Sequence, residues 1–141
     1  MAAPLGEDPY SAMLIEEYGP LCEVMFLAMG ADGKLEQAEV DVIRGALREL
    51  DDRIRTHHFK AMVELAEQRF AAEGASARLS AVARAFEEDP VRGEVGYVLA
   101  SAIAYADDEV SREESSFLND LADALGIDEA RAEQLQRLLL G

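Results

Sequence analysis

Apolar residues recur along this chain at intervals of three and four, the spacing of one face of a helix. Ile43, Ala46 and Leu50 form one such stripe, and Leu118, Leu121 and Leu125 form another. Two segments are apolar on every side. Leu21–Met29 carries Glu23 as its one charge, and Val95–Ala106 carries none. Helices of that kind belong at the centre of a domain. No alternating run of β-branched residues is present, and Thr56 is the single threonine. Strands are therefore not expected.

Helix punctuation divides the pattern. Asp8-Pro9, Pro20 and Pro90 read as helix starts, because proline is preorganised for the first turn. Gly74 and Gly126 read as helix ends, and Ser111 and Asp128 as N-caps. The spacing predicts helices over 9–18, 20–30, 36–51, 54–73, 75–88, 90–106, 111–125 and 128–139. Gly93 and Gly96 lie one turn apart, marking either close approach of a neighbouring backbone or a weak helix start. The expected fold is all-α, a single compact bundle of seven or eight helices over residues 1–141.

The two apolar segments are followed by similar sequences. Ala31-Asp32-Gly33-Lys34-Leu35-Glu36-Gln37-Ala38-Glu39 and Ala106-Asp107-Asp108-Glu109-Val110-Ser111-Arg112-Glu113-Glu114 share Ala-Asp-x-x-(Leu/Val)-x-x-x-Glu at an offset of 75 residues. Helix, acidic loop and helix thus occur twice, which reads as an internal duplication with halves near 20–51 and 95–126. At about 100° per residue, Ile43, Ala46 and Leu50 fall within about 40° of Glu39, and Leu118, Leu121 and Leu125 stand likewise to Glu114. Each glutamate heads an apolar stripe, where a carboxylate needs hydrogen bonds or a cation.

Two chemistries meet that need. Ser111-x-x-Glu114 has the form of a capping box, and Asp32 and Asp107 suit Asx turns. The first copy fits capping less well, because Glu36 stands at its N-cap position. Alternatively, Asp32, Glu39, Asp107 and Glu114 supply hard oxygen ligands to a divalent cation, with Glu36, Asp108, Glu109 and Glu113 as outer ligands. Such ligands point to Ca²⁺ or Mg²⁺, with Mn²⁺ as a third candidate. The pattern is not an EF-hand: counting from Asp32, glycine and glutamate are missing from the sixth and twelfth positions, which hold Gln37 and Ile43.

Composition narrows the function. Thirteen basic against 29 acidic residues leave a net charge of −16, a field that repels phosphate backbones and argues against nucleic-acid binding. Cys22 is the one cysteine, so neither an internal disulfide nor a thiolate zinc site is expected. Met1–Pro9 lacks the basic and apolar regions of a signal peptide, and Val95–Ala106 is too short to span a bilayer. The expectation is a soluble, cytoplasmic protein without direct membrane insertion. His57 and His58 point about 100° apart on a helix and read as surface residues. No nucleophile elbow or phosphate-binding loop is present, so an enzyme is the least favoured class.

Met29-Gly30-Ala31-Asp32-Gly33-Lys34-Leu35 with Glu39, and Ala104-Tyr105-Ala106-Asp107-Asp108-Glu109-Val110-Ser111 with Glu114, resemble the TerB-like family of tellurite-resistance proteins. Relatives include the N-terminal region of a membrane-anchored DnaJ-type co-chaperone. The resemblance covers roughly residues 20–126. It implies duplicated helical halves, an acidic metal-binding site at Asp32, Glu39, Asp107 and Glu114, and a place in stress-response complexes at the membrane's inner face. Glu36 and Asp108 depart from the family pattern, in which a capping residue and glycine are common. The resulting expectation is a non-enzymatic accessory protein that binds a divalent cation and has protein partners. The alternative is an acidic interaction adaptor or co-chaperone-like module without metal.

Overall fold

The computed structural model describes residues 11–29, 37–104 and 112–140, without the side chains of Glu39, Glu113, Glu114, Leu139 and Leu140. Those residues form seven helices and no strand: α1 (Ser11–Met29), α2 (Gln37–Leu50), α3 (Thr56–Glu73), α4 (Ala75–Ala85), α5 (Pro90–Ala104), α6 (Arg112–Leu125) and α7 (Glu129–Leu140). The all-α expectation holds. The expected cap Ser111 and the start at Asp8-Pro9 lie outside the described residues.

The expected break at Pro20 is absent, and α1 runs straight through it. An interior proline costs about 3 kcal/mol, because it removes one amide donor and crowds the carbonyl four residues back. That carbonyl belongs to Glu16, an exposed residue. Burial opposes this cost and exceeds it. Every residue from Leu21 to Ala28 is buried, and each large apolar side chain among them contributes about 1.5–3 kcal/mol. A break would withdraw half of this helix from the core. α1 packs against α2, α3, α4, α5 and α6, and so forms the central post.

The chain punctuation otherwise works as read. Gly126 has φ +74°. Its amide donates to Asp123, and that of Ile127 donates to Ala122 at 2.9 Å, which closes α6 with a Schellman motif. Asp128 then caps α7 by accepting from the Arg131 amide at 2.7 Å. Asp89 accepts from the Arg92 amide at 3.2 Å, with Pro90 opening α5. α4 ends at Ala85, three residues before the predicted boundary, and Phe86 folds back into the core. Gly93 and Gly96 face the side chains of Phe86, Leu125 and Leu21 rather than a neighbouring backbone. The apolar face of α2 centres on Ile43 and Leu47, both fully buried, while Leu50 is 43% exposed. Leu50 therefore does not belong to the inward stripe expected for it.

α1 and α5 run parallel, in a register that the contacts define. Arg92 pairs with Glu17 at 3.5 Å and lies 5.0 Å from the centre of the Tyr18 ring. Further along both helices, Leu21 Cδ2 stands 3.5 Å from the position a Cβ would take on Gly96. Glu17 and Arg92, and Leu21 and Gly96, are each 75 positions apart. So are Met29 and Ala104, where the two helices end. α2 and α6 begin and end at the same offset, each 14 residues long.

Candidate functional site

Eight residues were expected to form a cation site, and the structure places them only partly. Asp32, Glu36, Asp107, Asp108 and Glu109 lie outside the described residues, as do the side chains of Glu39, Glu113 and Glu114. What is described is the frame that carries them. Because α1 and α5 are parallel, the ends of both helices lie at the same end of the pair. Each runs eight residues, roughly 12 Å of helix, beyond the Leu21–Gly96 contact. Glu39 and Glu114 occupy the third positions of α2 and α6, the helices that follow. Phe117, in the second turn of α6, packs against the cluster of Phe26 and Leu27 near the end of α1. The start of α6 is thereby held beside the end of α1, across the central pair.

The two glutamate positions are not equivalent. On α6 the buried residues Leu118, Leu121 and Ala122 centre on a line about 35° from position 114. On α2, Ile43 and Leu47 centre about 60° from position 39. Position 114 heads a buried face, and position 39 heads the edge of one. An open depression of about 410 Å³ lies against the first half of α6, lined by Arg112, Ser116, Phe117 and Asp120. Near the end of α5, the buried Ser101 Oγ has no hydrogen-bond partner. That hydroxyl is one turn from Ala104, where the chain leaves for the second acidic loop.

Elsewhere the charged residues hold the bundle together. Glu23, the lone charge of the apolar segment, is buried on α1 and accepts two hydrogen bonds from the buried Arg78 of α4, at 2.6 and 2.9 Å. Arg69 approaches the same carboxylate at 3.7 Å, and Arg78 also reaches Glu73 at 3.3 Å. The pattern could flag Glu23 but not its partner, which is 55 positions away. In the first half of α1, the Tyr18 hydroxyl donates to Asp51 at 2.9 Å. Arg53 donates to the same carboxylate from both its side chain and its amide, and together these bonds hold Asp51 well below the usual carboxylate range. Burial, and then the bond to Asp51, push the Tyr18 hydroxyl above its ordinary value.

The histidine pair departs from its expected surface position. His57 is exposed, but His58 is buried. Its Nδ1 accepts from the Arg55 amide at 3.0 Å, so it takes the position that glutamate holds in a capping box. Cys22 is fully buried, and loss of solvation pushes its thiol up to about 12. It is a packing residue.

Among the described residues, no three His, Cys, Asp or Glu side chains come together in a group that could hold a metal ion. No helix among the described residues is long and apolar enough to cross a membrane. No curated protein matches the chain, and no solved structure matches it. The family described as Tellurite resistance protein TerB matches residues 21–137, more than four fifths of the sequence. That span includes both acidic loops and all of α2 to α6, and the chain belongs to the TerB family.

Proposed function

We propose that this protein is a non-enzymatic accessory module that binds one divalent cation between its two acidic loops, within a tellurite- or metal-stress system. The observation that carries the reading is the parallel register of α1 and α5. Helices in that arrangement end at the same end of the pair, which supports a shared site for the acidic segments that follow them; antiparallel helices would end at opposite ends. The shared 75-residue offset of helix ends, helix starts and acidic pattern supports a duplicated half, with one loop from each copy.

Asp32, Glu39, Asp107 and Glu114 would hold the ion. Carboxylates alone form a hard donor set suited to Ca²⁺, Mg²⁺ or Mn²⁺. Two aspartates and two glutamates also repel one another when brought together, and an ion of charge +2 offsets that repulsion. The uncommitted Ser101 hydroxyl leaves one more oxygen at that end without a protein partner. Bound there, the ion would tie the second helix of each half to the central pair and set the shape of the acidic surface.

The test is thermal unfolding in EDTA and then in Ca²⁺, Mg²⁺ or Mn²⁺, on wild type and on Asp32→Asn/Asp107→Asn. An ion at 100 times its dissociation constant adds about 2.7 kcal/mol. For a chain of this size that is a rise on the order of 5–10 °C. The reading requires the rise in wild type and its loss in the double variant. No rise with any of the three ions would leave the loops as capped turns and end the proposal.

A further inference from the structure

α2 and α6 have the same length and follow their central helices at the same offset, yet they are held differently. α6 packs against α5, α4 and α1, whereas α2 packs chiefly against α1. The difference shows at equivalent positions. On α6, Leu118, Leu121 and Ala122 are buried, and Phe117 and Leu125 are half-buried beside them. Phe117 reaches the cluster of Phe26 and Leu27, and Leu125 stands with Phe86 against Gly93. Among the described side chains of α2, Ile43 and Leu47 are buried, while Val42 and Leu50, the counterparts of Phe117 and Leu125, are 49% and 43% exposed. The far end of α2 is nevertheless pinned. Tyr18 holds Asp51 at 2.9 Å, and Ile54 is fully buried just beyond it. At the start of α2, by contrast, Gln37, Ala38, Asp41 and Val42 are exposed and Val40 is half-buried.

We propose that α2 is the movable member of the cation site, undocking from α1 start first, and that the bound ion keeps it docked. This inference rests on the cation reading above. Position 39 lies in the first turn of α2 and position 114 in the first turn of α6. An ion held by both would bridge a loosely held helix and a firmly held one. Elements of a protein open with free energies that follow how much each buries, and the least buried opens first. Two fully buried side chains and the tie at Asp51 keep α2 in place, whereas α6 must break from three helices to leave. A helix of 14 residues released from its neighbours is marginal in water, so undocked α2 also loses its internal hydrogen bonds. An ion that binds the docked form alone shifts this equilibrium toward it by mass action. Occupancy of the site is thereby converted into the order of one outer helix, while α1, α5 and α6 keep their places.

The test is native-state hydrogen exchange on the full chain, in rising urea below the unfolding transition. In EDTA, the amides of residues 41–50 should be protected at least about tenfold less than those of 116–125, with the shallow urea dependence of a partial opening. The exchange is then repeated in whichever of Ca²⁺, Mg²⁺ and Mn²⁺ raises the melting temperature most. That ion, at 100 times its dissociation constant, should raise the protection of 41–50 at least about tenfold, toward a ceiling of about 100-fold. Asp32→Asn/Asp107→Asn should abolish the gain. Earlier opening of 116–125, or opening of both segments only with the whole molecule, would overturn the proposal. So would an ion that raises the melting temperature but leaves the protection of 41–50 unchanged, a result that keeps the cation site and discards α2 as its moving part. No change in melting with any of the three ions would end the cation reading itself, and this inference with it.

Discussion

Cys22 shows how environment replaces chemistry at a single residue. A thiol on a surface helix titrates near 8.5 and reacts as its thiolate. Here burial has removed the water that would solvate the thiolate, and the neighbouring Glu23 adds repulsion. A raised thiol value gives stability that is fully present below the unfolded value and is lost progressively as pH rises from there through about 12. In native protein at pH 8, a thiol-specific reagent should therefore label Cys22 at the rate of unfolding, and in denaturant at once. Rapid stoichiometric labelling of the folded chain would contradict the burial. His58 makes the same point in reverse. The adjacent pair His57-His58 reads as surface from composition, but one ring closes the start of α3 because Arg55 left an amide to be satisfied.

At the scale of elements, α1 decides the architecture. Its apolar run is plain in the sequence, and its continuity through Pro20 is not. Local propensity and tertiary burial oppose each other there, and burial outweighs the proline. Its one buried charge fastens α4 through the Glu23–Arg78 pair, whose side chains are 4% and 10% exposed. Removing one partner of such a pair leaves the other charge buried and unpaired. Glu23→Ala should cost about 3 kcal/mol in urea unfolding, and Glu23→Leu/Arg78→Met should regain most of it. A loss well under 1 kcal/mol for the single variant would mean that Glu73 compensates Arg78 by itself. The pair also keeps α4 on the side of α1 where it covers α6, which leaves α2 open.

For the whole molecule, the excess of acidic groups sets how stability responds to solution conditions. Like charges on a compact chain repel, and salt screens them within a Debye length of about 10 Å at 0.1 M. In EDTA, raising sodium chloride from about 20 to 200 mM should increase the melting temperature by a few degrees. Acid acts through particular groups. Hydrogen bonds from Arg53 hold Asp51 below its ordinary value, and those from Arg131 hold Glu94 below its own. A lowered carboxyl value gives stability that is present above the unfolded value near 4 and lost as pH falls through the folded one. Melting temperatures should therefore drop below about pH 4 even as net charge shrinks, and Asp51→Asn should flatten that drop. A melting temperature that keeps rising to pH 3 would show that repulsion alone governs acid stability.

Helical class, the two apolar cores, most helix ends and the repeated acidic pattern were legible in the sequence. Each depends on local periodicity, capping chemistry or identity at a fixed offset, and none needs a distant residue to be placed. The resemblance to the TerB family was read from a short motif that occurs twice. Long-range partners were beyond it: Arg78 for Glu23, Asp51 for Tyr18, and Phe117 against Phe26 and Leu27. Tertiary structure also decided the direction of α5 relative to α1. Hydrophobic burial is satisfied by either direction, and the contacts of Glu17 with Arg92 and Leu21 with Gly96 show that the direction is parallel. The sequence determined the all-helical class and an acidic pattern repeated at an offset of 75 residues. Only the packing about parallel central helices brought the ends of α1 and α5 to one end of the pair, and only the single α4 made two equal helices unequal at the surface.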